Sequence, residues 1–416
     1  MKLTTVAWKN LINQPSQLAL NLLLFSLGIG LSLFLLLVND QIKKSLDNNL
    51  KGIDMVIGAK GSDLQMIFSS MYHIDNPTGN IKIDDTKAFL KEEHPLIKLS
   101  VPISIGDNYA GFRIIGTDDS IMELYGASVS SGKLFAETGT VTIGHSVAKV
   151  TGLQIGDHFK SSHGLSTGDD LEHEHDLVVA GILNPSGTIL DNLILTSTYT
   201  VWDVHDDGAH DHSGHDHDSH NHTDLSREHL LSHTDKEITN VLVQFNNNKN
   251  FQALNFPNNI KKQTPMHAVS PAYAMSVFYD RMGIGFNLIS WIAILISIIS
   301  CISIGISLYN ALRMRRYQLA ILRVQGATKT DLLKMIIVEG LLIAILGFIV
   351  GVVLAYIGYM ITTNLVEDKF QYVWETFPMH IGVPIFAAVS LLLGLVASII
   401  PALQAYKMDI HHALAE

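Results

Sequence analysis

Four long stretches without a charged residue constrain this chain more than any other feature. They cover residues 17–38, 282–312, 340–364 and 381–406 of the 416. A helix needs roughly 20 apolar residues to cross about 30 Å of hydrocarbon, and each stretch is at least that long. The sequence therefore predicts a membrane protein with four transmembrane helices, at 17–38, 282–312, 336–364 and 381–406.

The distribution of charge predicts how these helices are oriented. Lys2 and Lys9 precede the first span and Lys407 follows the fourth, whereas the short loop 365–380 is acidic. Because lysine and arginine concentrate on the cytoplasmic side, both termini should be cytoplasmic. The chain would then lie in the cell inner (cytoplasmic) membrane, with an interfacial helix at 1–16 and a cytoplasmic tail at 407–416.

Between the first two spans lies one large loop, residues 39–281, which should form an extracytoplasmic α+β domain. Leu46 and Leu50 near its start, and Ala274 and Phe278 near its end, recur every fourth residue, which predicts two amphipathic stalk helices. Strand-like segments alternate with helical ones in between, and a hairpin is expected to turn at Asp107-Asn108. The net charge of −11 resides mainly here, so nucleic-acid binding is not expected.

Residues 55–81 follow the first stalk and combine turn residues with an apolar helical face that includes Met66, Ile67, Met71 and Tyr72. Two interpretations remain open at this point. The segment is either a packed element under the base of the domain or a gate or substrate-contacting surface near the membrane.

The cytoplasmic loop 313–335 between the second and third spans, called here the coupling segment, is short and basic. Gly326 interrupts its helical run, and Thr328 or Thr330 can cap the helix that follows. Leu319 and Leu322, with Ile321 beside them, form an apolar stripe on the first helix. A basic amphipathic helix of this kind is predicted to dock on a partner protein.

This segment resembles the coupling helix of MacB/FtsX/LolC-type ABC transporter permeases. The family pattern falls on Arg315, Gln318, Leu319, Ala320, Leu322, Arg323, Gly326, Ala327 and Thr328, with Gln318 where the family usually has Glu. The turn at 151–157 and the ending at 401–416 are also similar to the family.

The resemblance implies a membrane subunit that works as a homodimer with two copies of a separate cytoplasmic ABC ATPase. Motion of the ATPases would pass through the stalks to the extracytoplasmic domain, and an extracytoplasmic lipoprotein is a further partner it allows. The ATPase would dock on Arg315, Arg316, Leu319, Leu322, Arg323, Gly326, Ala327 and Thr328.

Residues 205–233 contain nine of the chain's 20 histidines, interleaved with aspartates. Imidazole and carboxylate groups suit Zn²⁺, Cu²⁺ or Ni²⁺. The hypothesis is a metal-binding loop whose ligands come from His205, His210, His212, His215, His217, His220 and His222, joined by His173 and His175. The alternative is a solvated, variable loop without a metal-dependent role.

No catalytic motif accompanies these features. The closest approach to a phosphate-binding loop, residues 126–134, has the wrong glycine spacing and ends in Leu134 where Ser or Thr would hold Mg²⁺. The chain is therefore not expected to be an enzyme or to require a cofactor of its own, and ATP would bind to the partner subunit. The single cysteine, Cys301, excludes an intrachain disulfide.

The favoured function is thus the membrane (permease) subunit of an ABC transporter of the MacB/FtsX type, with a link to zinc as a further hypothesis. Two alternatives stay open. One is an FtsX-like regulator of an extracytoplasmic enzyme, and the other is a metal-sensing or metal-acquisition component.

Overall fold

The computed structural model describes residues 3–13, 15–50, 52–91, 94–162, 172–206, 224–370, 378 and 382–407, with residues 3–4, 172–175, 205–206 and 367–370 described by their backbone alone. The chain divides into two compact units. The membrane unit comprises Met1–Ile42, Met282–Leu365 and Trp374–Glu416, and the sheet domain comprises Lys43–Arg281 and Val366–Val373.

Helices and strands are numbered along the chain. The helices are α1 (Leu3–Ile12), α2 (Pro15–Leu50), α3 (Asp63–Ser70), α4 (Ile83–Leu90), α5 (Ser120–Tyr125), α6 (His145–Thr151), α7 (Thr198–Asp206), α8 (Arg227–Ser232), α9 (Phe251–Gln263), α10 (Pro271–Met314), α11 (Arg316–Val324), α12 (Lys329–Phe370) and α13 (Gly382–Lys407). The strands are β1 (Met55–Gly58), β2 (Ile81–Lys82), β3 (Ile97–Tyr109), β4 (Phe112–Thr117), β5 (Val129–Gly132), β6 (Thr140–Ile143), β7 (His158–Ser162), β8 (Glu172–Leu183), β9 (Leu193–Ser197), β10 (Glu237–Ile238), β11 (Asn240–Phe245) and β12 (His267–Val269).

Four helices in the described part of the chain, α2, α10, α12 and α13, are long and apolar enough to cross a membrane. The prediction of four membrane helices and an α+β domain between the first two is confirmed. Two of these helices run well past their apolar stretches. Helix α2 continues to Leu50 because residues 39–50 contain no Gly or Pro, and it ends just before Gly52, whose φ is +84°. Helix α10 begins at Pro271, the residue type favoured at the first helical position.

Small residues let the membrane helices approach closely. A Cβ added to Gly394 on α13 would lie 2.5 Å from the Ala344 Cβ on α12, and one on Gly30 of α2 would lie 2.9 Å from the carbonyl oxygen of Gly351. Ser390 Oγ donates a 3.1 Å hydrogen bond to the carbonyl of Ala344. Close backbone contact and hydrogen bonds replace the hydrophobic effect as the source of helix association in lipid.

The sheet domain is organised around a ten-stranded mixed sheet. Its order is β12-β1-β11-β3-β4-β9-β6-β8-β5, with β7 pairing with β3 and β8 off this path. The pairs β4–β9 and β6–β8 are parallel, and the other pairs of this sheet are antiparallel. Strand β10 pairs with β2 in a separate two-stranded sheet.

Both faces of the sheet are covered. On β1, Val56 belongs to one hydrophobic cluster, while its neighbours Met55 and Ile57 belong to another. Successive side chains of a strand point to opposite faces, so the two clusters lie on opposite sides of the sheet. The near-continuous apolar sequence of the central strands follows from this double burial.

The hairpin between β3 and β4 turns three residues later than the sequence predicted. Asp107 and Asn108 lie within β3, and the turn falls on Ala110 and Gly111, with φ of +50° and +85°. Two successive positive φ values are those of a type I′ turn, whose twist matches the flanking strands. The prediction of an Asp-Asn turn was wrong because Asn108 is a paired strand residue, opposite Arg113.

Residues 55–81 form a packed element of the sheet domain, the first of the two interpretations. Met66, Ile67, Met71 and Tyr72 are all at most 2% exposed in one hydrophobic cluster. Tyr72 Oη also donates a 3.0 Å hydrogen bond to the carbonyl of Leu46 in the first stalk. The segment therefore joins the stalk to the core of the domain.

Both predicted stalks are built into this core. The Asn49 side chain, 1% exposed, accepts a 2.7 Å hydrogen bond from the backbone N–H of Ile189. On the second stalk, Ala274 and Met275 are buried in the same cluster as Tyr72. The ends of the two long helices are thus integral parts of the sheet domain.

The close packing around Gly394 predicts a position-specific loss of stability. Gly394→Val should lower the melting temperature of the chain in detergent by several degrees, because the new side chain overlaps Ala344. Gly283→Val is the matched control, since an added Cβ there meets nothing within 4 Å. Equal melting temperatures for the two variants would show that this contact does not limit the packing.

His73 predicts acid sensitivity of the sheet domain. Burial, reinforced by the nearby Arg113 cation, lowers the pKa of His73 to about 3. The folded state then binds fewer protons than the unfolded state below pH 6.5, so stability is lost as the pH falls from about 6.5 towards 3.

Replacing His73 by Asn should remove roughly 2 kcal/mol of the destabilisation at pH 4.5. Asn also tolerates the φ of +53° at this position. The effect is measured as the midpoint of urea unfolding at pH 7 and at pH 4.5, monitored by amide exchange in β1 and β4. His145→Asn, at an exposed position, is the control and should keep the wild-type pH dependence.

Candidate functional site

The coupling segment forms a short helix between two turns. Helix α10 ends at Met314, Arg315 has non-helical angles (φ −110°, ψ 15°), and α11 follows. At the other end Gly326 takes a φ of +103°. The N–H of Ala327 donates to the carbonyl of Leu322 (3.0 Å) and that of Gly326 donates to Arg323 (3.1 Å). These two bonds form a Schellman motif, in which glycine is favoured because it adopts a left-handed conformation without strain.

Thr328 begins the next helix with a reciprocal cap. Its Oγ1 accepts a 3.2 Å hydrogen bond from the N–H of Asp331, and Asp331 Oδ2 accepts a 2.9 Å bond from the N–H of Thr328. The Thr328 hydroxyl also donates to the same carboxylate oxygen at 2.6 Å. These hydrogen bonds from Thr328 lower the pKa of Asp331. Of the two capping residues that the sequence allowed, the structure uses Thr328.

The three predicted docking residues Gly326, Ala327 and Thr328 therefore have a defined role in the chain itself. They form the turn that sets the direction of α11 relative to α12. The sequence pattern Gly-Ala-Thr is explained by backbone geometry and capping, without any partner.

Leu319 does not lie on the surface of α11. It is 4% exposed and packs in a cluster with Leu312, Leu332 and Met335, and the adjacent Ala320 is fully buried. Its assignment to the docking surface is corrected, because a side chain enclosed by its own chain is not accessible to a partner. Leu322 is 36% exposed and remains available.

A different apolar stripe faces outwards. Tyr317, Ile321 and Val324 are 60%, 37% and 68% exposed and follow one another at four and three residues. Residues at this spacing lie on one face of a helix. The sequence analysis missed Tyr317 and Val324 because an amphipathic pattern alone does not show which apolar stripe faces the core.

The arginines of the segment also divide into accessible side chains and one that is engaged within the chain. Arg316 is exposed and Arg323 is half-buried. Arg315 instead donates a 2.6 Å hydrogen bond from Nη2 to the carbonyl of Asn10, and its Nη1 lies 3.6 Å from Glu339 Oε1. With a side chain 15% exposed and engaged inside the membrane unit, Arg315 is not available for docking.

Most residues of the predicted metal site lie outside the described residues. These are His210, His212, His215, His217, His220 and His222. The backbone of His205 is in the last turn of α7, and His173 and His175 are two residues apart on β8. Within the described parts of the chain, no group of three or more His, Cys, Asp or Glu side chains is placed to hold a metal ion.

The sheet domain contains a cavity of about 630 Å³ that the sequence did not indicate. Arg227 lies in its wall and donates to Asp118 Oδ2 from Nε (3.0 Å) and Nη2 (2.7 Å) and to the carbonyl of Ser100 (2.7 Å). Thr117 and Thr198 also line it, and their Oγ1 atoms have no hydrogen-bond partner among the described residues. Its wall thus combines the Arg227–Asp118 ion pair and hydroxyl groups with apolar side chains such as Leu134 and Phe135.

The C-terminal part of the chain is similar to a known protein family. Residues 290–410 match the family model described as FtsX-like permease C-terminal. The match contains the whole coupling segment and most of the second to fourth spans. The resemblance inferred from the coupling segment is confirmed by this match. A comparison with curated protein sequences finds no match.

Among solved structures, the sheet domain is similar to two extracytoplasmic domains. The periplasmic region of MacB from Actinobacillus actinomycetemcomitans aligns with 12% identity and a TM-score of 0.35, over 55% of this chain and 95% of that one. The extracellular domain of the noncanonic ABC-type transporter YknZ from Gram-positive bacteria aligns with 12% identity and a TM-score of 0.29, over 52% and 99%.

The cap at Thr328 predicts a local loss of stability. Thr328→Val should cost about 1 kcal/mol in the first turn of α12, because both hydrogen bonds between the Thr328 hydroxyl and Asp331 are lost. Amide exchange of residues 329–333 should become about fivefold faster as a result. Thr330→Val removes only the 2.7 Å contact between the two threonine hydroxyls and keeps both reciprocal bonds, so it is the control. Equal exchange in the two variants would contradict the role of the cap.

Proposed function

We propose that the chain is the membrane subunit of an ABC transporter, supported by the match of residues 290–410 to the FtsX-like permease C-terminal family model. It would act with a separate cytoplasmic ATPase, two copies of each subunit forming the complex. Both termini and the coupling segment would face the cytoplasm, and the sheet domain would lie outside the cell inner membrane.

The observation that carries the proposal is the exposed surface of α11. Tyr317, Ile321 and Val324 form an apolar stripe that the chain itself leaves uncovered, and Arg316 is exposed on the same short helix. Apolar anchors, aromatic residues and arginine contribute most to the affinity of protein interfaces. The stripe lies at the end of a membrane helix, where a lipid tail cannot cover it if the basic segment stays in water.

The way α11 is held supports a role in force transmission. Leu319 and Ala320 fix one side of the helix in the core of the membrane unit, and the turns on either side set its direction. A partner that moves α11 would therefore also displace α10 and α12. Helix α10 continues without interruption as the second stalk of the sheet domain.

Two copies are proposed because α10 covers little of its apolar surface within one chain. Of the residues in its most apolar stretch of 18, only 17% are buried, against 50% for the corresponding stretch of α2. Trp291 and Leu295, 69% and 57% exposed, lie on this open surface. A second copy packed along α10 would bring two α11 helices, and hence two ATPases, into one assembly.

The zinc hypothesis remains a separate proposal that rests on the composition of residues 205–233. If the histidines bind Zn²⁺, affinity should fall as the pH drops through about 6, where imidazole becomes protonated.

Substitution of the exposed stripe tests the proposed function. The full chain is purified with an affinity tag from its own membranes, and the vanadate-sensitive ATPase activity that accompanies it is measured. Tyr317→Asp combined with Val324→Asp should reduce that activity at least about tenfold, because two apolar contacts are replaced by charges. The variant should still insert and fold, since both side chains are exposed.

Leu254→Asp is the matched control. It introduces one such charge at a position 65% exposed on α9 of the sheet domain and should leave the accompanying activity unchanged. If the double variant retains the ATPase in full, α11 is not the docking site. If no ATPase accompanies the wild-type chain, the assignment to an ABC transporter fails.

A further inference from the structure

Three segments that are far apart in sequence meet at one polar cluster in the membrane unit. The guanidinium of Arg315 donates to the carbonyl oxygen of Asn10 at 2.6 Å and lies 3.6 Å from the Glu339 carboxylate. The Asn10 side chain donates a second bond, from Nδ2 to Glu339 Oε1, at 2.7 Å. The cluster thus connects α1, the α10–α11 junction and α12.

Glu339 is the component that requires an explanation. Its side chain is 5% exposed, and it lies about one turn inside the predicted third span. An ionised carboxylate in such a place is costly unless it is paired and hydrogen-bonded. Arg315 and Asn10 supply both the opposite charge and a neutral donor, so the three groups stabilise one another.

The contacts of α1 show what the cluster holds in place. Ala7 and Leu11 of this helix are buried, and Leu11 packs in the same hydrophobic cluster as Leu319 of α11. Trp8 and Ile12, on the other side of α1, are 42% and 51% exposed. One face of α1 is therefore part of the core beneath α11, and the other is free for the membrane surface.

The position of Arg315 links the cluster to the orientation of α11. Arg315 is the single residue between α10 and α11, and its non-helical angles make it the joint at which α11 could rotate. Its own side chain connects that joint to α1 on one side and α12 on the other. Rotation of α11 alone would break the hydrogen bond to Asn10 and the ion pair with Glu339.

We propose that Arg315, Asn10 and Glu339 form a clamp that locks α11 to α1 and α12, so that the three helices move together when a partner binds α11. Arg315 and Glu339 are positioning residues in this proposal, and α1 is a part of the docking platform as well as an interfacial helix. The role in transmission rests on the proposed function, but the clamp itself is a property of the chain alone.

The first experiment therefore uses the full chain alone in detergent. Spin labels are attached at Lys9 on α1 and Lys334 on α12, both exposed positions, with Cys301 replaced by Ser. The wild-type distance distribution should be narrow. Arg315→Met should broaden it, and amide exchange of residues 5–12 should become about tenfold faster, because charge-assisted hydrogen bonds are lost.

A second variant guards against misfolding, since Arg315→Met leaves a buried carboxylate without its cation. Arg315→Met combined with Glu339→Leu removes both charges, and with them the acceptor of the Asn10 side chain, and it avoids that penalty. It should fold with a normal melting temperature and still release α1. Thr5→Ala, on an exposed position of α1, is the matched control. A narrow distribution and unchanged exchange in the folded double variant would overturn the clamp.

The second experiment separates positioning from folding. In the complex with the accompanying ATPase, amide exchange of stalk residues 43–50 is compared with and without ATP and vanadate. The wild-type complex should show a nucleotide-dependent change, whereas the double variant should bind as much ATPase and lose at least half of that change. The single variant Arg315→Lys keeps the positive charge and a hydrogen-bond donor. It should retain more of the nucleotide-dependent change in exchange than the double variant does.

The outcomes distinguish the two proposals. Loss of the nucleotide response with the ATPase still bound supports the clamp as a transmission element. A full nucleotide response in the double variant refutes that role, even if α1 is released. If no ATPase accompanies any variant, the proposed function fails while the distance measurement on the chain alone still decides whether the clamp exists.

Discussion

The hydrocarbon core of a membrane supplies no hydrogen-bond partners, and this constraint determines the architecture of the chain. Backbone polar groups in the four apolar stretches are satisfied only within helices. Once formed, such helices end only where the sequence stops them. Helix α2 has no Gly or Pro after its apolar stretch until Gly52, and α10 begins at Pro271, eleven residues before its apolar stretch. Residues 43–50 of α2 and 271–281 of α10 accordingly belong to the sheet domain.

This continuity matters for function because a helix transmits displacement better than a flexible linker. The stalk ends are anchored by specific contacts, among them the bond from Ile189 to Asn49 and that from Tyr72 to Leu46. These contacts make residues 43–50 and 271–281 part of the sheet domain.

The coupling segment shows how one short pattern of residues combines several physical roles. Leu319 and Ala320 hold α11 in the core, Gly326 and Thr328 shape the turn, and Arg315 binds inside the membrane unit. Only the remaining side chains are left for a partner. The docking surface proposed here, Tyr317, Ile321 and Val324, consists of the residues that the chain does not use for itself.

Sequence alone determined the number of membrane helices, the α+β domain between the first two, and the resemblance of the C-terminal part to FtsX-like permeases, because these depend on local features. Uncharged stretches, alternating strand patterns and the spacing of Gly326 and Thr328 can each be read within a short window. The tertiary structure decided the rest. It showed which stripe of α11 faces the core, that the β3–β4 turn falls on Ala110 and Gly111, and that Arg315 binds Asn10 and Glu339. The turn depends on the register of β3 against β4, and the contact of Arg315 with Asn10 joins residues 305 positions apart. Amphipathic periodicity shows that a helix has an apolar face without showing what covers it.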